Sequence, residues 1–348
     1  MLPEILLSLI LLWDGYFFLR YLLSLRKVYR TREWRPRVSV LIPAYNEEEN
    51  IEDAVKAALS QDYPDLEVIV IDDGSEDGTY ERALSVRDER LKVIKAKHGG
   101  KARALNLGLE ASSGEIIVTT DADGFLEKDA VSELVKRFYS REVVAVGGQV
   151  RVAGRRFLEL AQDVEHLRIA MFRRAKELEN LSLAPGPVSA FRREALLKIG
   201  GFVEDPVEDY ATTIAFKGLG RVVYSPLARA WVRMPLTLSS LWRQRKRWFL
   251  GDLPKLGGGP LKDRFFLAVS EIIALSDVTF PLMAIALERW GLLALFVLFE
   301  MLTIAVAVRN EGGLKLEILL FPVLLWFWAA FYLCLHVYGY TRWVLSKR

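Results

Sequence analysis

Cysteine is almost missing from this sequence. The 348 residues hold one, Cys334, inside an apolar stretch, so neither a disulfide framework nor a cysteine-ligated metal cluster can be built. Amide side chains are scarce too: Gln61, Gln149, Gln162, Gln244, Asn46, Asn50, Asn106, Asn180 and Asn310 are all of them, in a chain with 26% charged residues. That balance is expected of a protein that works hot. A dominant charge is also lacking, since the formal net charge is +3 and the basic residues gather beside apolar segments. Nucleic acid is therefore not an expected partner, because binding it would need a basic face on the polar part of the chain.

Long apolar runs are what the chain has. With 52% hydrophobic residues and a mean hydropathy of +0.18, the excess collects in residues 2–25, 264–287, 290–308 and 316–339. Each approaches the ~20 residues needed to cross a bilayer. The first has no positive region before it and no small-residue cleavage site after it, so it reads as a retained anchor over residues 1–25. Arg26, Lys27, Arg30 and Arg32 follow, and basic flanks stay inside, which predicts that the polar domain lies in the cytoplasm of an integral cell-membrane protein. Segment 264–287 carries Glu271, Asp277 and Pro281 and is expected to lie shallow, which leaves two full spans in a C-terminal membrane domain over residues 263–348. If it crosses, there are three. Residues 236–262 mix Arg243, Arg245, Lys246 and Arg247 with Trp242, Trp248 and Phe249, a pattern suited to a helix on an anionic membrane surface.

Residues 33–235 read as a mixed, charged α/β domain. Val38, Val40 and Ile42 sit in an apolar run closed by Pro43 and Ala44, expected as a buried parallel strand. Asn46 is expected to cap a helix with Glu47, Glu48 and Glu49 in its first turn. A second run, residues 66–71, ends at Asp72 and Asp73, placing two polar loops at the carboxyl edge of a sheet, where open α/β sheets bind ligands. Gly99, Gly100 and Lys101 then open a helix in a manner that suits an anion. Past the next strand, Asp121 and Asp123 stand one residue apart. In extended backbone both carboxylates face one way and can share Mg²⁺ or Mn²⁺. Gly186 lies in a small-residue loop, and Asp209 in the first turn of a later helix is a candidate general base.

Together these residues resemble the family 2 glycosyltransferases, in the membrane branch that includes cellulose, chitin and hyaluronan synthases, over about residues 36–250. The matching stretches are residues 38–47, Asp72-Asp73, Gly100 to Asn106, Asp121-Ala122-Asp123, Glu208-Asp209 and Gln244-x-x-Arg247-Trp248. The resemblance implies a GT-A, Rossmann-like domain, a nucleotide-sugar donor, a divalent cation and inversion at the anomeric carbon. It implies nucleotide contacts from Pro43, Ala44, Asn46, Glu47, Asp73, Lys101 and Asp121, with metal at Asp121 and Asp123. By the same resemblance Asp209 is the base, while Glu208, Gln244, Arg247 and Trp248 serve the diphosphate and the acceptor. Polymer-secreting relatives use more spans than are seen here, so the expected acceptor is a polyprenyl (dolichyl) phosphate or a glycan carried on one, with mannose, glucose or GlcNAc moved from GDP or UDP. A polysaccharide or glycolipid synthase that forms a homo-oligomeric channel is the second reading. A catalytically silent membrane scaffold is the third.

Overall fold

The computed structural model describes all residues except 178–183, 206, 253–260 and 347–348. They form two compact units. A helix unit comprises Met1–Leu25, Gly154–Ala175 and Met234–Arg348, and a sheet unit comprises Arg26–Ala153 and Lys176–Arg233.

After α1 (Leu2–Leu25) the chain enters the sheet unit with β1 (Val38–Ala44), buried at every position as an uninterrupted apolar run at a sheet centre should be. There follow α2 (Ile51–Leu59), β2 (Leu66–Asp72), α3 (Thr79–Ser85), β3 (Leu91–Lys95), α4 (Lys101–Ala111) and β4 (Ile116–Thr119). β1 lies between β2 and β4, parallel to both, with Val40 opposite Val68 and Val118. After β5 (Gly124–Leu126), α5 (Ala130–Val135) and β6 (Val143–Val152) the chain leaves as α6 (Phe157–Lys176). It returns with β7 (Ser189–Arg192), α7 (Arg193–Lys198), α8 (Glu208–Ala215) and β8 (Arg221–Val232). The eight strands run in the order β3-β2-β1-β4-β7-β6-β8-β5. β7 is antiparallel to β4 and β6, and β5 is antiparallel to β8. Leu41, Ile69, Ile71 and Ile117 of the strands pack with Leu105 and Leu109 of α4 and with Phe191, Phe216 and Tyr224.

Strand β7 directly follows the small-residue loop of Gly186, in residues that carry no strand signal of their own. Ser189-Ala190-Phe191-Arg192 has little β-branched character, and it is extended because β4 and β6 pair with it from both sides.

The helix unit adds α9 (Leu238–Asp252), α10 (Leu261–Ala286), α11 (Trp290–Glu311) and α12 (Lys315–Ser346) to α1 and α6. Among the described residues, Leu2–Leu25, Ala268–Ala286, Trp290–Glu311 and Lys315–Trp343 have the length and apolar composition needed to cross a membrane. The expectation of a shallow segment at 264–287 rested on its carboxylates. Tyr340 Oη donates to Glu271 at 2.9 Å and His336 Nε2 lies 3.6 Å away, so Glu271 has partners on α12 in place of lipid. The end of the surface region read at 236–262 falls outside the described residues.

Candidate active site

The carboxyl edges of β1, β2 and β4 bring most of the anticipated residues together. Pro43 and Ala44 end β1 and are buried. Asn46 is not a helix cap. Its φ of 55° is left-handed, its backbone N–H donates to Ser75 Oγ at 2.9 Å, and its side-chain oxygen accepts from Glu76 N at 2.9 Å. The asparagine thus ties the first loop to the second, and α2 begins only at Ile51. Glu47 stays in the loop, where its N–H donates to Thr79 Oγ1 at 2.8 Å and its carboxylate accepts from Asn50 Nδ2 at 2.7 Å. Burial raises the Glu47 pKa despite that hydrogen bond, and the negative charges of Asp121 and Asp77 add to the rise.

Asp73 is buried, with both oxygens engaged. They accept from Gly99 N at 2.9 Å and Gly100 N at 2.8 Å, while His98 Nδ1 contacts the Asp73 carbonyl at 3.0 Å. Its direct work is to hold the loop that starts α4, where Gly100 at φ 90° makes the turn. This loop also sets the His98 ring against Tyr45, tilted by 31° with centroids 4.3 Å apart, a pair of exposed rings with no signature in the sequence.

Asp121 and Asp123 lie in a turn, not in the extended backbone that the sequence predicts for them. β4 stops at Thr119, and Gly124 N donates to Asp121 O at 3.0 Å. The turn still brings the carboxyls within mutual influence. Burial pushes Asp123 up to about 7, and the charges of Asp121 and Glu47 push in the same direction. Lys101 reaches in from the first turn of α4, its Nζ 2.6 Å from Asp121 Oδ1 and 2.8 Å from Glu208 Oε1. Burial disfavours that ammonium, yet Asp121, Glu208 and Asp209 outweigh burial and raise its pKa.

Among the described residues no three His, Cys, Asp or Glu side chains form a ready cage for a metal. The pair still fits a hard cation completed by water and substrate phosphates, since Mg²⁺ is commonly held by one or two carboxylates. Carboxyls crowded until one holds its proton near neutral pH are a donor set that a divalent ion would relieve.

Asp209 enters the same cavity from the first turn of α8, along with Pro43, Lys101, Asp121, Gly186 and Glu208. Its Oδ1 accepts from Tyr210 N at 2.8 Å and its Oδ2 from Gly186 N at 3.2 Å. The Gly186 loop is fixed in turn: Ala184 N donates to Thr213 Oγ1 at 2.9 Å, and that hydroxyl donates to the Asp209 carbonyl at 2.7 Å. A Cβ at Gly186 would stand 2.7 Å from Lys101 Nζ, so a side chain there would push the lysine ammonium from its place beside Asp121.

Gln244, Arg247 and Trp248 belong to the helix unit, on α9. Arg247 is exposed. Trp248 lies 4.2 Å from the guanidinium of Arg245, and Arg245 Nη2 is bonded to Glu165 Oε2 at 2.5 Å. Gln244 Nε2 meets Met234 Sδ at 3.9 Å.

Residues 39–200 match glycosyl transferase family 2. The chain is 31% identical over 222 residues to the poly-beta-1,6-N-acetyl-D-glucosamine synthase of Staphylococcus aureus, an alignment covering 62% of this chain and 54% of that protein. The Staphylococcus epidermidis protein of the same name matches at 31% over 222 residues with the same coverage. The chain thus spans about half the length (54%) of these curated relatives. A solved structure, the mannosyltransferase PcManGT from Pyrobaculum calidifontis in complex with GDP-Man and Mn²⁺, superposes with a TM-score of 0.63. That match covers 97% of this chain and 99% of the other at 24% identity. Residues 39–200 therefore constitute a glycosyl transferase family 2 domain, set on the GT-A fold.

Proposed function

We propose that the protein is an inverting, divalent-metal-dependent hexosyltransferase. It moves mannose, or a glucose- or GlcNAc-type sugar, from a GDP- or UDP-sugar to a polyprenyl or dolichyl phosphate, or to a glycan carried on one. The observation that carries this reading is the single cavity where Asp209, Glu208, Lys101 and Asp121 meet at the carboxyl edge of the sheet. Asp121 and Asp123 would hold Mn²⁺ or Mg²⁺, which supplies positive charge against the leaving diphosphate. Lys101, gripped between Asp121 and Glu208, presents a fixed cation to the same oxygens. Where the acceptor is a sugar hydroxyl of the lipid-linked glycan, Asp209 takes its proton, and the Gly186 N–H orients the carboxylate for this; a lipid phosphate attacks through an oxygen that is already ionised and needs no base. Pro43, Ala44, Asn46 and Glu47 form the donor-side wall, which Asp73 supports through the 98–100 loop. Gln244, Arg247 and Trp248 serve the diphosphate and the acceptor mouth.

A GDP-mannose donor is favoured by the solved mannosyltransferase, whose likeness runs over 97% of this chain. A membrane acceptor is favoured by the four apolar helices, and the basic residues after α1 favour a cytoplasmic sheet unit. The second reading, a processive synthase assembled from several copies, is favoured by the 31% identity to the staphylococcal synthases.

The deciding experiment supplies purified protein with Mn²⁺, radiolabelled GDP- and UDP-sugars and a polyprenyl-phosphate lipid extract. Label in a short product in the organic phase supports the lipid-linked transferase and names the donor. Label in a long insoluble polymer means a synthase. No transfer to any acceptor, with an Asp121→Asn variant indistinguishable from wild type, would leave the scaffold reading.

A further inference from the structure

A second cavity, of about 510 Å³, lies in the sheet unit among Arg30, Tyr139, Ser140, Arg141, Glu142 and Arg221. It is far from the first by topology. β6 and β8 run parallel to β1 and β4, and this cavity sits where β6 and β8 begin, whereas Asp121 lies just beyond the end of β4. Three guanidiniums arrive there from three parts of the chain: the segment after α1, the turn before β6 and the first residue of β8.

Several arginines elsewhere in this unit have acids beside them, as Arg37 has Asp65, Arg82 has Glu48, Arg90 has Asp88 and Arg233 has Asp53, while Arg35, Arg87 and Arg103 stand singly and do not share a cavity wall. Among the described residues Arg30, Arg141 and Arg221 form no ion pair, not even with Glu142 in the same wall. Behind the wall a fourth guanidinium, Arg192, donates to the Ser140 carbonyl at 3.0 Å and the Val143 carbonyl at 2.8 Å. Ser140 adds a second, independent sign, because its buried hydroxyl oxygen has no hydrogen-bond partner. Converging like charges repel, and an unmatched buried hydroxyl is costly. Both are relieved by one ligand, an oxyanion with several acceptor oxygens, for which the planar fork of arginine is well shaped.

We infer that this cavity is an anion site for a phosphate or diphosphate group, separate from the sugar-transfer site. Arg30, Arg141 and Arg221 grip its oxygens, Ser140 Oγ donates to one of them, and Glu142 sets a limit on affinity. Two sources share this chemistry: an anionic lipid headgroup, within reach of the segment that follows α1 because Arg30 stands five residues past Leu25, and a soluble phosphorylated compound.

The test uses native mass spectrometry of the full-length protein in detergent with EDTA, so that the acidic site holds no cation. The probes are inorganic pyrophosphate and phosphatidylglycerol. Wild type is expected to retain one pyrophosphate, with affinity unchanged in Asp121→Asn, stronger in Glu142→Gln and about tenfold or more weaker in Arg141→Gln/Arg221→Gln. A phosphatidylglycerol adduct that pyrophosphate displaces identifies the lipid headgroup as the source. Pyrophosphate bound without any lipid adduct identifies a soluble compound. Should the double variant not fold, Arg141→Gln alone, at an exposed position, carries the same expectation. No adduct from either probe, or equal adducts in wild type and a folded variant, overturns the site.

Discussion

At the scale of residues, the candidate site is a set of charges that constrain one another. Asp209 has each oxygen tied by a backbone N–H, which aims it without neutralising it. Asp209→Asn keeps the size but removes the basicity and leaves one of the two N–H groups without an acceptor, so kcat should fall by roughly 10²–10⁴ while thermal stability drops by no more than about 1 kcal/mol and donor affinity holds. A rate loss matched by lower stability would show instead that the residue works by holding the Gly186 loop. Asp123 gives a pH prediction. Its pKa of about 7 lies above the ordinary 3.8, so the folded, metal-free protein favours the protonated form. The stability this group contributes is complete below about 4 and is lost as pH rises through about 7. A cation needs the carboxylate, so Mn²⁺ affinity should climb about tenfold per pH unit up to neutrality and then level off. Titrations followed by electron paramagnetic resonance at about pH 6 and about pH 8 test this, and an affinity equal at both would remove Asp123 from the ligand set.

Among the elements, those legible in the sequence are the ones whose stability is local. β1, β2 and β4 are short apolar runs that end in polar loops, and α4 announces itself by Gly100 and its apolar stripe. β8 was hidden, since Arg221, Ser225, Pro226 and Arg229 break its pattern and its strand form depends on β6, far away in sequence. Type and spacing single out Asp121 and Asp123 in the sequence, but not the turn that joins them. What makes the turn is the hydrogen bond from Gly124 back to Asp121, which no alternation of side chains encodes. Element junctions also carry strain that can be tested. Gly201 has φ 100°, and an added Cβ would stand 2.4 Å from Asn106 Oδ1, the atom that accepts from Phe202 N at 2.7 Å. Gly201→Ala should cost about 1–3 kcal/mol, read as a lowered unfolding midpoint, with a smaller loss when paired with Asn106→Ala.

For the molecule as a whole, the helix unit is held by buried polar ties as well as by apolar packing. Glu311 of α11 is fully buried and accepts from Tyr21 of α1 at 2.8 Å and from Arg174 of α6 at 2.9 Å. Glu311→Ala should therefore destabilise the solubilised protein by about 3–5 kcal/mol, and Tyr21→Phe by about 1 kcal/mol, in thermal unfolding in detergent. Equal small effects from both would mean that apolar contacts alone set the stability.

The order in which the two units are threaded also bears on synthesis and dissection. The chain passes between them at 25/26, 153/154, 175/176 and 233/234, so the family match at residues 39–200 contains α6, a helix that belongs to the other unit. Leu167 of α6 packs with Ile304, Ala307 and Leu324, which leave the ribosome more than a hundred residues later. During translation the sheet unit can close around its strands while α6 waits uncovered for the C-terminal helices. An expression fragment cut at the family boundaries would keep that helix exposed for good, so a soluble version of the sheet unit calls for replacing α6 with a linker as well as removing the ends.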